Sequence, residues 1–179
     1  MTSNRRSRAH VCARAVLLSL ATMAGACGTS ARVAPDPSTR PPEVVVPATD
    51  TASETVVLRT NVERRKVGLP ELGRSNQLMR AAQLSADQMA AALTMAHELP
   101  RARYPTMDDR LEAVGYRYRA AGENVAEGYP SAASVVAGWM TSPGHRANVV
   151  SRNYYEMGGA VATGKNGRRF WAQVFGTPR

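Results

Sequence analysis

Three side chains with the chemistry for acid–base work or metal binding lie near motifs that restrict the backbone. Glu123 lies in a Gly-Glu-Asn motif, His145 lies in a Ser-Pro-Gly-His-Arg motif, and His97 follows an apolar helical run. Two imidazoles and one carboxylate suit zinc, because three protein ligands leave one coordination position open for water or substrate. The same set permits hydrolysis, with Glu123 as a metal ligand or as the general base. The three residues form a candidate zinc site if the fold brings them together.

Each of the three residues also has a structural interpretation. His97 could cap the end of its helix, where a partly positive imidazole meets the negative pole of the helix dipole. Glu123 could be a buried acid whose oxygens are satisfied by backbone amides or by a histidine. For His145 no packing argument requires a histidine in so constrained a loop. Serine or cysteine nucleophiles are excluded, because the chain has no G-x-S-x-G motif and its only cysteines are Cys12 and Cys27.

The spacing of apolar residues predicts four helices around these motifs. The second is the most periodic, with Ser75 as its cap and His97 on the buried-leaning face at its carboxyl end. Its apolar stripe comprises Leu78, Ala82, Ser85, Met89, Leu93 and Ala96. The other three are predicted from Ser53 to a stop at Gly68, from Thr106 to Val114, and from Ser131 to Met140.

Three extended segments complete the predicted domain. Residues 119–127 are a strand or turn that carries the Gly-Glu-Asn motif, and residues 154–163 and 169–175 are strands joined by a hairpin turn at residues 164–167. Neither of the last two strands has a fully polar face, so helices should cover the sheet on both sides. The fold class is therefore α+β, arranged as a three-layer α-β-α sandwich.

The amino-terminal third of the chain has the composition of a leader and a tether. Residues 1–26 are predicted to be an export signal peptide, with basic residues followed by an apolar run. Cys27 ends a segment that resembles a bacterial lipobox, although Ala24 stands where a large aliphatic residue is usual; the alternative is ordinary cleavage and secretion. Residues 27–52 are predicted to form a Pro/Ser/Thr-rich tether, which leaves residues 53–179 as the folded domain.

The net charge of +9 is partly contributed by arginines of the leader. The remaining basic residues are scattered and no nucleic-acid-binding motif accompanies them, so we expect no nucleic-acid partner. Because both cysteines precede residue 53, the folded domain is expected to hold together without disulfides.

Several short motifs match one family in order and spacing. The matching segments are residues 61–65, 68–70, 110–111, 115–116, 122–126, 139–148, 157–158 and 170–176, together with Leu78, Ala82 and His97. Residues 54–176 resemble the CAP superfamily (cysteine-rich secretory proteins, antigen 5 and pathogenesis-related 1), in particular its cysteine-free bacterial SCP-like branch. The resemblance implies an α-β-α sandwich with a mostly antiparallel sheet and a large cleft in which the residues matching His97, Glu123 and His145 converge.

The resemblance also implies what the cleft binds. Family members often hold a divalent metal there, and some bind sterols or fatty acids in a separate apolar groove. Asn124, Ser142 and Gln173 are expected to support the cleft; Asn124 is interpreted as closing a turn, and Gln173 as bonding one of the histidines. Ser142 stands where animal and plant members usually have a second glutamate, which weakens any mechanism that needs two carboxylates.

Three functions follow as hypotheses. The first is an exported bacterial lipoprotein, anchored to the bilayer through lipidated Cys27, whose cleft binds zinc or another divalent metal and a small amphipathic, lipid or sterol-like ligand. The second is a metal-dependent hydrolase, peptidase-like, acting on envelope or host proteins with Glu123 as base. The third is a non-catalytic scaffold for protein contacts. A binding role is favoured over an enzymatic one.

Overall fold

The computed structural model describes residues 51–179, so the predictions for the leader, Cys27 and most of the tether lie outside the described residues. The elements of the described part are α1 (Thr51–Lys66), β1 (Gly73–Arg74), α2 (Asn76–Ala92), α3 (Met107–Ala113), β2 (Tyr118–Glu127), α4 (Ala132–Thr141), α5 (Pro143–Val149), β3 (Glu156–Thr163) and β4 (Arg169–Pro178). Within residues 51–179, no helix has the length and apolar character needed to cross a membrane.

The four strands form one sheet in the order β1-β3-β4-β2. Strand β4 lies in the middle and pairs antiparallel with both β2 and β3. Strand β1 adds only two residues, which pair parallel with Glu156 and Met157 of β3. The sheet is therefore mostly antiparallel, as the sequence predicts.

Helices cover both faces of the sheet. Phe170, Ala172 and Val174 of β4 pack in a buried cluster with residues of α2 that include Leu78 and Met89. Their neighbours Trp171 and Phe175 lie in a second cluster that includes Val56 of α1 and Trp139 of α4. Because successive strand residues point to opposite faces, β4 supplies the core of both layers. This confirms the three-layer α-β-α sandwich.

Helix α2 begins as the sequence predicts but ends earlier. The hydroxyl of Ser75 accepts a hydrogen bond from the backbone of Leu78 and caps the helix. The helix ends at Ala92 because Leu93 adopts a left-handed conformation with φ of 51°. A Cβ added to Gly164 would lie only 2.7 Å from the Leu93 side chain, so the β3–β4 hairpin packs closely against this helix end. The prediction that His97 lies on α2 is therefore wrong, and His97 lies in the loop that follows.

The Ser-Pro-Gly-His-Arg motif forms a helix, where the sequence predicts a constrained loop. Pro143 occupies the first turn of α5, where its fixed φ suits a helix and its missing N–H costs no hydrogen bond. Ser142 is the single residue between α4 and α5, and its carbonyl accepts a hydrogen bond from Arg146. His145 is therefore held on a helical turn that packs beside α4.

Candidate functional site

Glu123 lies at the centre of the site, on β2, with 3% of its side chain exposed. Its Oε1 accepts hydrogen bonds from Ser85 Oγ at 2.7 Å and from Arg110 Nη2 at 3.0 Å. Its Oε2 accepts from Arg110 Nη2 at 3.2 Å and lies 3.0 Å from His97 Nδ1. Three donor groups therefore surround the carboxylate, and Arg110 Nη2 is shared between its two oxygens.

Arg110 holds the loop that carries His97. It is the buried arginine of α3, and its Nη2 donates to the His97 carbonyl at 3.1 Å as well as to Glu123. Its Nη1 donates to the Tyr104 carbonyl at 3.3 Å. One guanidinium therefore neutralises the buried carboxylate and fixes two points of the loop.

The ring of His97 is bonded on one side and open on the other. A carboxylate only accepts hydrogen bonds, so Nδ1 carries the proton that bonds Glu123 and Nε2 holds the lone pair of the neutral ring. The hydrogen bond that His97 donates to Glu123 raises the pKa of His97 above its ordinary value, although partial burial opposes the shift. The side chain is 55% exposed, so Nε2 remains within reach of a ligand.

His145 lies on the other side of the site and is held through its backbone. Its carbonyl accepts a hydrogen bond from Asn124 Nδ2 at 3.1 Å. Burial lowers the pKa of His145, and the nearby charge of His97 lowers it further. The two histidines are therefore close enough for their charges to interact, while Glu123 contacts the ring of His97 only.

Asn124 and Gln173 form a neutral network on the opposite face of the sheet from Glu123. They are cross-strand partners, and Asn124 Nδ2 donates to Gln173 Oε1 at 3.1 Å. Asn124 Oδ1 accepts from Asn148 Nδ2 at 2.9 Å, and Gln173 Nε2 donates to Thr60 of α1. The interpretations of Asn124 as a turn residue and of Gln173 as a partner of a histidine ring are wrong, because strand alternation points both side chains toward α1 and α5.

Ser142, the third predicted support residue, is the N-cap residue of α5, but its hydroxyl does not cap the helix. Its carbonyl accepts the hydrogen bond from Arg146 in the turn between α4 and α5. Sequence reasoning missed Ser85, Arg110, Thr60 and Asn148 as site residues. The available signals were a serine on an otherwise apolar stripe and an arginine at a position of α3 that becomes buried.

The donor set fits a metal ion only in part. Among residues 51–179, no three side chains of His, Cys, Asp or Glu are placed to hold one ion together. Glu123 is buried and already accepts hydrogen bonds from Ser85, His97 and Arg110, and the charge of Arg110 beside it would repel a cation. The two histidines keep the chemistry of metal ligands, since Nδ1 of His97 is the nitrogen that bonds Glu123 and burial favours the uncharged form of His145 by lowering its pKa.

A cavity of about 230 Å³ opens beside His97, lined by His97, Glu98, Met107 and Glu123. A larger groove of about 440 Å³ lies on another part of the surface, between α2 and the β3–β4 hairpin. The site thus combines a buried ion pair, one oriented histidine and a small adjoining space on a three-layer sandwich.

Comparison with known proteins places this architecture in a family. Residues 57–175 match the model of the cysteine-rich secretory protein (CAP) family. The chain is 35% identical over 121 residues to the uncharacterized protein YkwD of Bacillus subtilis, an alignment that covers 67% of this chain and 45% of the relative. The chain spans less than half the length of the curated relatives it matches.

Solved structures share the fold. An outer surface protein from Borrelia burgdorferi superposes with a TM-score of 0.66 at 20% identity, covering 74% of this chain and 96% of that one. An extracellular protein with an SCP domain from Bacillus anthracis superposes with a TM-score of 0.63 at 24% identity, covering 73% of this chain and 44% of that one. The chain belongs to the cysteine-rich secretory protein (CAP) family.

Proposed function

We propose that this protein is an exported, membrane-anchored binding protein whose histidines His97 and His145 bind a divalent metal ion, zinc in the first instance, while Glu123 orients His97 from behind. The observation that carries the proposal is the 3.0 Å contact between His97 Nδ1 and Glu123 Oε2. Histidines that bind metals usually donate their second ring N–H to a carboxylate, which sets the tautomer and raises the basicity of the other nitrogen. A bound metal would supply Lewis acidity at the mouth of the cleft.

This assignment changes the role of Glu123 from ligand to positioning residue. The carboxylate is buried, paired with Arg110 and hydrogen-bonded through both of its oxygens. To act as a general base it would have to exchange one of these partners for a water molecule. The geometry therefore favours a binding role over the metal-dependent hydrolase that uses Glu123 as base.

The size of the adjoining cavity favours a small ligand. Pockets for drug-sized molecules occupy about 300–1,000 Å³, whereas the space beside His97 is about 230 Å³. An ion with its water shell, or one small polar group, suits this space better than a sterol or an acyl chain.

Export and anchoring rest on the leader and on Cys27, with the composition described above. The descriptions of the two structural neighbours as an outer surface protein and an extracellular protein agree with export. Radiolabelled palmitate incorporation that is lost in Cys27→Ser would establish the anchor. Release of the unlabelled wild-type protein into the medium would show secretion instead.

The metal site is tested by calorimetric zinc titration of the full-length protein. We expect about one equivalent of zinc, bound more weakly than in structural sites with four protein ligands, because two histidines leave the other positions to water. His97→Ala combined with His145→Ala should abolish the binding. Thr94→Ala, at an exposed position of the same loop, is the matched control and should bind as the wild type does.

Glu123→Gln tests whether Glu123 positions His97 or binds the metal itself. If Glu123 orients His97, the glutamine can still accept from Nδ1, and zinc affinity should fall by about tenfold or somewhat more, as for other outer-shell changes. A folded wild-type protein that binds no zinc would contradict the metal proposal. Zinc binding that survives in the double histidine variant would also contradict it.

A further inference from the structure

The two edges of the sheet differ in how their backbone N–H and C=O groups are hydrogen-bonded. On the β2 edge, the carbonyls of Ala121, Glu123 and Val125 accept hydrogen bonds from the side chains of Tyr154, Asn148 and Trp139, at 3.2–3.3 Å. These three donors come from α4, α5 and the segment that follows. The backbone acceptors of that edge are therefore satisfied from within the domain.

Within the described residues 51–179, no strand covers the second half of the β3 edge. Strand β1 pairs only with Glu156 and Met157, and the hydrogen bonds from Gly73 to Tyr155 and from Ser75 to Met157 show that odd-numbered residues face this edge. The same alternation directs the N–H and C=O groups of Val161 and Thr163 away from β4. Within residues 51–179, neither residue has a strand partner on that side.

Side chains of α2 occupy only the beginning of this edge. Met79 Sδ accepts from the N–H of Gly159 at 3.2 Å. Gln83 Nε2 lies 3.5 Å from the Val161 carbonyl, at the limit of a hydrogen bond, and is also bonded to Asp87. Within residues 51–179, the N–H of Val161 and the N–H and C=O groups of Thr163 therefore have no backbone partner on this side.

A groove follows the open backbone. It holds about 440 Å³ between α2 and the hairpin, and its walls include Ala90, Ala91 and Ala162, whose small side chains leave room for others. Lys165 lies at the hairpin end of the groove and is exposed. Among the ion pairs of the described residues, none includes Lys165.

We propose that the β3 edge at Val161–Thr163, together with the groove beside α2, binds an extended peptide segment of a partner protein by strand addition, and that an acidic group of this segment meets Lys165. The N–H of Val161 and the N–H and C=O groups of Thr163 can pair with another extended backbone, which gives affinity without requiring one sequence. The groove has room beside Ala90, Ala91 and Ala162 for side chains that point toward α2, and at its hairpin end, away from Asp87 on α2, Lys165 attracts an acid by charge.

A second copy of the chain suits this edge less well than a single strand. The same edge of another copy is bordered by its own α2, and by α1 where Gly159 lies against Val56. Both helices would have to approach the groove together with that edge. An isolated extended segment carries no such flanks.

The proposal is tested by amide hydrogen exchange on the full-length protein with the peptide acetyl-TVTVTVE-amide as probe. In the free protein we expect the amides of Val161 and Thr163 to exchange quickly. The peptide should slow both at least tenfold in a saturable manner. The peptide acetyl-TVTPTVE-amide, which loses one backbone donor at its centre, should bind at least fivefold more weakly.

Variants of the groove and of the charge sharpen the test. Ala91→Arg fills the groove from an exposed position of α2 and should weaken peptide binding at least tenfold, whereas Ala137→Arg, at an exposed position of α4, should leave it unchanged. Lys165→Glu should weaken the peptide ending in glutamate severalfold and favour one that ends in lysine. If Lys165→Glu changed the affinities of the glutamate-ending and the lysine-ending peptide equally, the pairing of Lys165 with an acidic group would be overturned.

Three other outcomes would overturn the proposal. Slow exchange of Val161 in the free protein at every concentration would mean that a segment of the same chain occupies the edge. Protection that rises with protein concentration would assign the edge to a second copy. Absence of any protection at millimolar peptide would show that the edge does not accept a strand.

Discussion

Two adjacent residues of β2, Glu123 and Asn124, hold the two histidines by different means. Glu123 faces α2 and α3, where it bonds the ring of His97 within a cluster that includes the charge of Arg110. Asn124 faces the other side of the sheet and bonds the backbone of His145 within a neutral network of amides. One half of the site is therefore charged, and the other is neutral.

The comparison shows how neighbouring residues of one strand can give two histidines different pKa values. The charged half favours the protonated ring, so the pKa of His97 is raised, whereas burial beside the neutral half lowers the pKa of His145. Two imidazoles that differ only in their surroundings are thus driven apart in proton affinity. Experiments that remove each half should produce effects of different size and different pH dependence.

The largest effect should come from breaking the charged half with Arg110→Met. The change leaves the carboxylate of Glu123 buried with only its hydrogen bonds from Ser85 and His97, and removing one partner of a buried pair costs about 3–5 kcal/mol. Urea denaturation at pH 7 should show a loss of this size in the free energy of unfolding. Arg101→Met, at an exposed position, should stay within about 0.5 kcal/mol of the wild type.

A second substitution distinguishes lost charge balance from lost packing. Adding Glu123→Gln to Arg110→Met removes the uncompensated charge and should recover part of the lost stability. If Arg110→Met alone costs less than about 1 kcal/mol, or if the added substitution lowers stability further, the buried pair does not act as described.

A smaller effect should follow from breaking the neutral half with Asn124→Ala. The substitution removes the hydrogen-bond partner of the His145 carbonyl and of Gln173 Oε1, and leaves Asn148 Nδ2 with only its bond to the Glu123 carbonyl. Buried polar groups that lose a neutral partner cost about 1–3 kcal/mol each, less where water or neighbours replace the bond, so we expect a total of about 2–3 kcal/mol by urea denaturation. Asn153→Ala, at an exposed position, is the control; an equal loss in both variants would contradict a role for the buried network.

The sequence predicted most of the framework because its signals are local. The stripe on α2 and the alternation along β4 each follow from one short periodicity; the alternation is confirmed, and the stripe is confirmed from Leu78 to Met89. The end of α2 was missed because Leu93 turns left-handed where the hairpin packs against it, which is a tertiary contact. Helix α5 was missed because proline and glycine in sequence indicate a loop as readily as a first helical turn.

The site could be predicted only as a set of residues. The approach of Glu123 to His97 was expected, but the partners that define its role, Ser85 and Arg110, come from α2 and α3. Which side of the sheet each residue faces depends on strand register, and a shift of one residue would exchange Glu123 and Asn124. No local pattern in one chain carries that information, so Asn124 and Gln173 were assigned the wrong contacts.

The smallest effect, and the one that separates the histidines most directly, is the pH dependence of stability in the absence of metal. A folded-state pKa of His97 above its unfolded value gives stability that is complete below the unfolded pKa and is lost as pH rises through the folded value. The lowered pKa of His145 acts in the opposite sense: its contribution is complete above the unfolded pKa and is lost as pH falls through the folded value. The ordinary pKa of both groups is 6.5. The wild-type protein should lose stability as pH rises just above this value, and His97→Gln should remove that loss. The wild-type protein should also gain stability as pH rises toward 6.5 from below, and His145→Gln should remove that gain. Urea midpoints measured from pH 5 to 8 with a chelator present test both, and changes of the same sign in the two variants would contradict the division of the site into a charged and a neutral half.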